Sequence, residues 1–187
     1  MNQNAIDTKN NLLEAFLRIY ENKSIAQVTV KEICSVAGYN RSTFYNHYND
    51  VPSMLSQIED DTLMIIEGVV RKLTAKDIFH TDAIFAALKG IYNGNQQKMA
   101  ILMTKSDSHF PQKLKRLMEE IITGFCDDLS VSENQKLKVA ISYHFSAIIG
   151  VMAHLMQNRE TLDMNQVIDY VKEFSLEGVL TAIKKMI

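Results

Sequence analysis

Thr29-Val30-Lys31-Glu32-Ile33-Cys34-Ser35-Val36-Ala37-Gly38-Tyr39-Asn40-Arg41-Ser42-Thr43-Phe44-Tyr45-Asn46-His47-Tyr48 is the stretch that decides the fold. Thr29 and Glu32 have the spacing of a capping box, in which the hydroxyl accepts from the backbone N–H three residues on while the carboxylate reaches back, so a short helix is expected to start here. Val30, Ile33 and Ala37 share its inner face. Gly38 follows where a left-handed residue ends a helix at no steric cost. Asn40 offers itself as the next N-cap. A second helix is expected from there to Tyr48, turning Phe44 and Tyr48 inward at i and i+4 and leaving Arg41, Ser42, Tyr45 and Asn46 outside. The pattern is that of a helix-turn-helix whose second helix carries an outer face of hydrogen-bonding groups.

Upstream, Leu12, Ala15, Phe16 and Ile19 recur at helical spacing after Thr8, which predicts a helix over about residues 8–23, ended by Asn22-Lys23-Ser24. Downstream, Asn49 or Asp50 can cap a helix over about 51–74 with Pro52 in its first turn and Leu55, Ile58, Leu63, Ile66 and Val70 along it. Five more helices are expected at roughly 80–93, 95–105, 110–129, 132–158 and 163–186, the first ended by Gly94 and the third opened by Pro111. With 47% hydrophobic residues, seven Gly and two Pro in 187 residues, the composition argues against disorder and against a turn-rich β chain. The expected fold is all-α, about nine helices in two domains: a three-helix module over residues 1–50 and a helical domain over 51–187.

The stretch from Val139 to Met156 is broken by Ser142, His144, Ser146 and His154, which speaks against a membrane span. A helix apolar on nearly every side must be covered on nearly every side. The last helix repeats this, with Val167, Val171 and Phe174 on one face and Leu176, Val179, Leu180 and Ile183 on others. A second subunit packed on these two helices is the expected cover.

Net charge is −2, and the first 50 residues hold five basic and five acidic side chains. Affinity for nucleic acid comes from cations that neutralise phosphates, so any such contact must rely on a few well-aimed donors rather than a broad basic face. Cys34 and Cys126 stand far apart without a CxxC, suggesting neither a disulfide nor a zinc site. The opening residues lack the basic start and apolar run of an export signal, so a cytoplasmic location is expected.

The ordered pattern Thr29-Val30-Lys31-Glu32-Ile33, Ala37-Gly38-Tyr39-Asn40-Arg41-Ser42-Thr43-Phe44-Tyr45 and Asn46-His47-Tyr48, with Leu12, Ala15 and Phe16 before it, resembles the N-terminal DNA-binding domain of the TetR family of bacterial regulators. The resemblance covers about 50 residues. It implies an all-helical homodimer whose C-terminal domain binds a small-molecule effector, and a repressor that holds a near-palindromic double-stranded operator through Thr29, Tyr39, Asn40, Arg41, Ser42, Thr43, Tyr45, Asn46 and His47. Two departures stand out. Val51 occupies the place where the family usually has a Lys, and Tyr48 replaces the usual Phe, its hydroxyl needing a partner or solvent.

In the second domain Phe85, Met103, Met118, Phe125, His144 and Met152 are the expected lining of an adaptable apolar pocket, since Met fills irregular space; an ordinary core is the other reading. No cofactor is expected. None of His80, His109, His144 and His154 sits in a metal-binding spacing, and no nucleophile–base pattern marks an enzyme. A protein that acts through protein partners with its second helix reduced to a structural part is one alternative, supported by Val51 and the N-terminal module's net charge of zero; a helical-bundle enzyme with His144 or His109 as base is the other.

Overall fold

The computed structural model describes residues 3–73, 86, 89–125, 130–157, 166–167, 171 and 178. Among them all regular structure is helical. The chain gathers into two compact units, one of Met1–Thr62 with Lys105–His109, the other of Leu63–Thr104 with Phe110–Ile187. The first unit carries on past residue 50, because the opening turns of the following helix bury Val51, Met54, Leu55 and Ile58 in it.

In the first unit, α1 (Gln3–Tyr20) is followed by a 3₁₀ turn (Ile25–Gln27), α2 (Val30–Ala37), α3 (Arg41–Tyr45) and the start of α4 (Val51–Val70). Leu12, Phe16 and Tyr20 recur along one face of α1 and are fully buried with Ile33, Phe44 and Met54. Burial of each such side chain contributes about 1.5–3 kcal/mol. The Phe16 and Tyr20 rings stack with centroids 5.1 Å apart. α1 starts earlier than its periodicity suggests and stops sooner: the N–H groups of Glu21, Asn22 and Lys23 bond back to Leu17, Ile19 and Tyr20 and turn the chain. Asp50 caps α4, its carboxylate accepting from the Ser53 N–H at 2.7 Å while the Ser53 hydroxyl accepts from the Asp50 N–H at 3.0 Å.

The segment Lys105–His109 supplies this unit with polar contacts from far along the chain. Asp107 accepts from the Ile25 N–H at 2.6 Å and from the Tyr20 hydroxyl. The Lys105 ammonium donates to the Lys23 carbonyl at 3.1 Å and lies 5.3 Å from the centre of the Tyr20 ring. Glu59 of α4, buried, accepts from the Ser108 hydroxyl at 2.9 Å and the His109 N–H at 2.8 Å.

In the second unit, the described residues include helical positions 89–93, α5 (Gln96–Thr104), α6 (Phe110–Thr123) and α7 (Val131–Gln157). α7 packs against both α5 and α6. Ser130 and Glu133 form a capping box at its start: Ser130 accepts from the Glu133 N–H, and Glu133 accepts from the Ser130 N–H at 3.0 Å. α6 gives way at Gly124 and Phe125 to a turn, short of residue 129. Most of the helices expected over 80–93 and 163–186 lies outside the described residues. No described helix is long and apolar enough to cross a membrane.

α7 buries Leu137, Ile141 and Phe145 on one face and leaves Val139, Tyr143 and Val151 exposed on others, Val139 at 70% and Tyr143 at 68%. His144 is half-buried and meets the Phe145 ring edge-on at 5.7 Å; burial holds its imidazole below the usual range around 6.5. A histidine depressed in the folded state binds fewer protons there than in the unfolded chain, so its contribution is present above about pH 6.5 and lost as pH falls below that. Urea titrations between pH 7.5 and pH 5 are expected to show lower stability on the acid side, and His144→Gln should flatten that loss. An unchanged acid slope would exclude His144 as its source.

Candidate nucleic-acid interface

Thr29 caps α2 as its spacing implies. Its hydroxyl accepts from the Glu32 N–H at 3.3 Å and donates to the Glu32 carboxylate at 2.9 Å, while that carboxylate also accepts from the Thr29 N–H at 3.2 Å. Lys23 pairs with the same carboxylate. These bonds, the Lys23 bond first, hold Glu32 below the usual carboxylate range. The single hydroxyl proton of Thr29 is thus committed within the protein. Gly38 ends α2 at φ +75°, a left-handed value open to glycine, and its N–H bonds to the Cys34 carbonyl. Burial pushes the Cys34 thiol up, opposed by nearby Arg41.

α3 is shorter than expected. It ends at Tyr45, and the N–H groups of Asn46, His47 and Tyr48 fold back onto Ser42 and Phe44. Phe44 and Tyr48 still turn inward, at 0% and 4% exposure, with ring centroids 5.5 Å apart. Asn40, Arg41, Ser42, Tyr45 and Asn46 are exposed, and Tyr39, Thr43 and His47 half-buried. Tyr45 is 57% exposed, set edge-on against Phe44 at 5.6 Å. Thr29 is exposed at the start of α2, so all nine residues named from the sequence lie on α2, α3 or their flanking turns. Asn11, which the sequence reading missed, donates from α1 to the Tyr39 hydroxyl at 2.9 Å and leaves the phenol proton free to donate. No local pattern links residues 28 positions apart, so only the fold reveals it.

The first unit carries six basic side chains, Lys9, Arg18, Lys23, Lys31, Arg41 and Lys105, against nine acidic ones. Lys9 pairs with Asp61 at 2.8 Å and Lys23 with Glu32, while Lys105 serves Lys23 and Tyr20. Arg18, Lys31 and Arg41 have no acidic partner among the described residues. Two of these three lie on the helix-turn-helix, Lys31 in the first turn of α2 and Arg41 at the start of α3.

Val51 is buried at 6% exposure, so this position serves the core of the unit. Tyr48 has found neither partner nor solvent: its hydroxyl is buried with no hydrogen bond among the described residues, and burial pushes its pKa up to about 12. An unsatisfied buried hydroxyl costs about 1–3 kcal/mol. Tyr48→Phe is therefore expected to raise the stability of the unit by about 1 kcal/mol or more, read as a higher denaturant midpoint at unchanged slope. A lower midpoint would mean that the hydroxyl has a partner after all.

Of the residues expected to line a pocket, Met103 and Met118 are buried and Phe125 and His144 half-buried. Phe85 and the side chain of Met152 lie outside the described residues. An open groove of about 480 Å³ runs along α6 and α7, lined by Glu119, Lys138, Val139, Ser142, Tyr143 and Ser146. Among the described residues no group of three or more His, Cys, Asp or Glu is placed to hold a metal ion.

No family model matches the chain. The HTH-type transcriptional regulator AcrR of Shigella flexneri is 19% identical over 160 residues, 86% of this chain, and the chain spans 59% of that relative's length. Among solved structures, a TetR transcriptional regulator from Streptococcus agalactiae has a TM-score of 0.63 at 20% identity, covering 90% of this chain and 93% of its own. The fatty acid degradation regulator FadR from Bacillus halodurans has a TM-score of 0.65 at 13% identity, covering 91% and 95%. DhaS, activator of a dihydroxyacetone kinase operon, has a TM-score of 0.62 at 15% identity, covering 96% and 97%. With likeness that runs through both units rather than the helix-turn-helix alone, the chain has the all-helical fold of the TetR-type transcriptional regulators.

Proposed function

We propose that this chain is a homodimeric, DNA-binding transcriptional repressor that sets α3 into the major groove of a near-palindromic operator and releases it when a small apolar molecule binds the second unit. The observation that carries this reading is the outer face of α3 and its turns. The side chains of Asn40, Arg41, Tyr45 and Asn46 are exposed there and make no hydrogen bond or ion pair among the described residues, on a helix anchored from behind by Phe44. Recognition helices contact base edges with their N-terminal residues, where Asn40 and Arg41 stand.

The exposed Val139 and Tyr143 of α7 support a second copy as its cover, together with residues 163–186. The apolar effector is assigned to the neighbourhood of Met103, Met118, Phe125 and His144, with Phe85 and Met152 as further candidates. The name of the Bacillus halodurans neighbour makes a fatty acid a sensible first probe. A ligand shifts the dimer only by its differential affinity for two arrangements, and about 1–3 kcal/mol corresponds to roughly 5- to 150-fold weaker DNA binding.

Selection of duplexes from a randomised pool tests the reading. Enrichment of a two-fold sequence with half-sites about one helical turn apart is expected. Recovery of all sequences alike would favour the alternative, a regulator-like protein that works through protein partners. Light scattering that shows a monomer still binding a two-fold site would contradict the dimer.

A further inference from the structure

The two cap positions of the helix-turn-helix are built differently. Thr29 at the start of α2 spends its hydroxyl lone pair, its hydroxyl proton and its backbone N–H on Glu32. Asn40 at the start of α3 has the extended backbone of an N-cap, φ −81° and ψ 157°, yet its side chain makes no capping bond. Its backbone carbonyl does the local work, accepting from the Thr43 N–H at 3.0 Å and from the Cys34 thiol at 3.6 Å. Asn is among the best capping residues, and a cap contributes about 1 kcal/mol to a helix. Here that bond is unmade, and the whole carboxamide, acceptor and donor together, faces outward without a partner among the described residues.

We propose that Asn40 determines sequence specificity by reading an adenine edge in the major groove, while Thr29 holds α2 and reads nothing. The proposal rests on the DNA-binding reading above. A free carboxamide matches adenine, since its oxygen accepts from N6–H and its NH₂ donates to N7, a pairing no other base offers in the major groove. Thr29 cannot donate to a phosphate while its only hydroxyl proton is held by Glu32. One cap therefore acts on stability and the other on base choice.

The test uses the full chain and the two-fold duplex enriched by it, with each half-site base pair exchanged in turn and with 7-deazaadenine, which lacks the N7 acceptor, placed at each adenine. The parent protein is expected to lose roughly 5- to 150-fold in affinity per half-site when one particular adenine is exchanged, and to weaken when that adenine is 7-deaza. Asn40→Ala should bind weakly, no longer distinguish the base at that position, and melt within about 1 °C of the parent, since no capping bond is lost. Thr29→Ala should keep every base preference and melt about 2–4 °C lower. The proposal is overturned if Asn40→Ala retains the parent's preference at every position. It is equally overturned if that variant weakens binding evenly across sequences, as a phosphate contact does, or melts as low as Thr29→Ala. Failure of the parent to enrich any sequence overturns the DNA-binding reading itself, an outcome distinct from all of these.

Discussion

Asp107→Ala is expected to lower the stability of the first unit by about 2–4 kcal/mol, more than any exposed substitution on α3. The Asp107 carboxylate accepts from the Ile25 N–H at 2.6 Å and from the hydroxyl of Tyr20, a residue with 0% exposure. Burial first and the adjacent carboxylate second push the Tyr20 phenol above its ordinary range, so it stays a donor at any working pH. Removing the acceptor strands both donors, and each unsatisfied buried group costs about 1–3 kcal/mol. Asp107 itself is half-exposed, so water offsets part of that loss and keeps the sum below the upper limit. Burial alone would raise the Asp107 carboxyl, but the bonds from Ile25 and Tyr20 outweigh it and hold the group below its ordinary 3.8. Its contribution is thus present above that value and fades as pH falls below it. Tyr20→Phe should recover part of the loss in the Asp107→Ala background, because one stranded donor disappears. Urea denaturation at pH 7 measures both effects, and a loss under about 0.5 kcal/mol would mean that the segment 105–109 merely rests on the unit.

Arg41→Ala should leave the melting temperature unchanged and weaken operator binding severely. The guanidinium is exposed with no acidic partner among the described residues, so no ion pair among them is lost with it. A bidentate base contact is worth about 1–3 kcal/mol, and a two-fold complex loses it twice, so about 2–6 kcal/mol, or roughly 30- to 10⁴-fold, is at stake. Tyr45→Phe should act in the same direction with a smaller effect, since only the hydroxyl goes. Fluorescence anisotropy with the enriched duplex at fixed salt reads both. Parent-like affinity in both variants would mean that another face of the unit meets DNA.

The stretch from Thr29 to Tyr48 was legible because each of its signals is local. A capping box spans four residues, a left-handed glycine needs only its own backbone, and Phe44 with Tyr48 fixes a helix face by spacing alone. The end of α3 at Tyr45 was less legible, since nothing in Asn46-His47 forbids another turn; backbone bonds to Ser42 and Phe44 close the helix there. Contacts made across long separations left no trace in the sequence. Asp107 reaches Ile25 across 82 positions, and Ser108 reaches Glu59 across 49. Neither acidic residue carries a pattern that distinguishes it from a solvated surface charge. The burial of Val51 was hidden for a related reason: its role depends on which helices cover the start of α4, and sequence spacing does not supply that. In α7 the wide apolar pattern was readable, and the structure divides it into the face that buries Leu137 and Ile141 and the side that leaves Val139 and Tyr143 exposed.

The salt dependence of duplex binding tests the central claim most directly. Each phosphate contact by a cation contributes about −0.9 to the slope of log K against log salt on B-form DNA. With Arg18, Lys31 and Arg41 as cations of the first unit that have no acidic partner among the described residues, two or three such contacts per protomer give a dimer a slope of about −4 to −5. A slope in that range on the enriched duplex, reduced in Lys31→Ala, is the expected result; a slope indistinguishable from zero would contradict DNA binding by this chain.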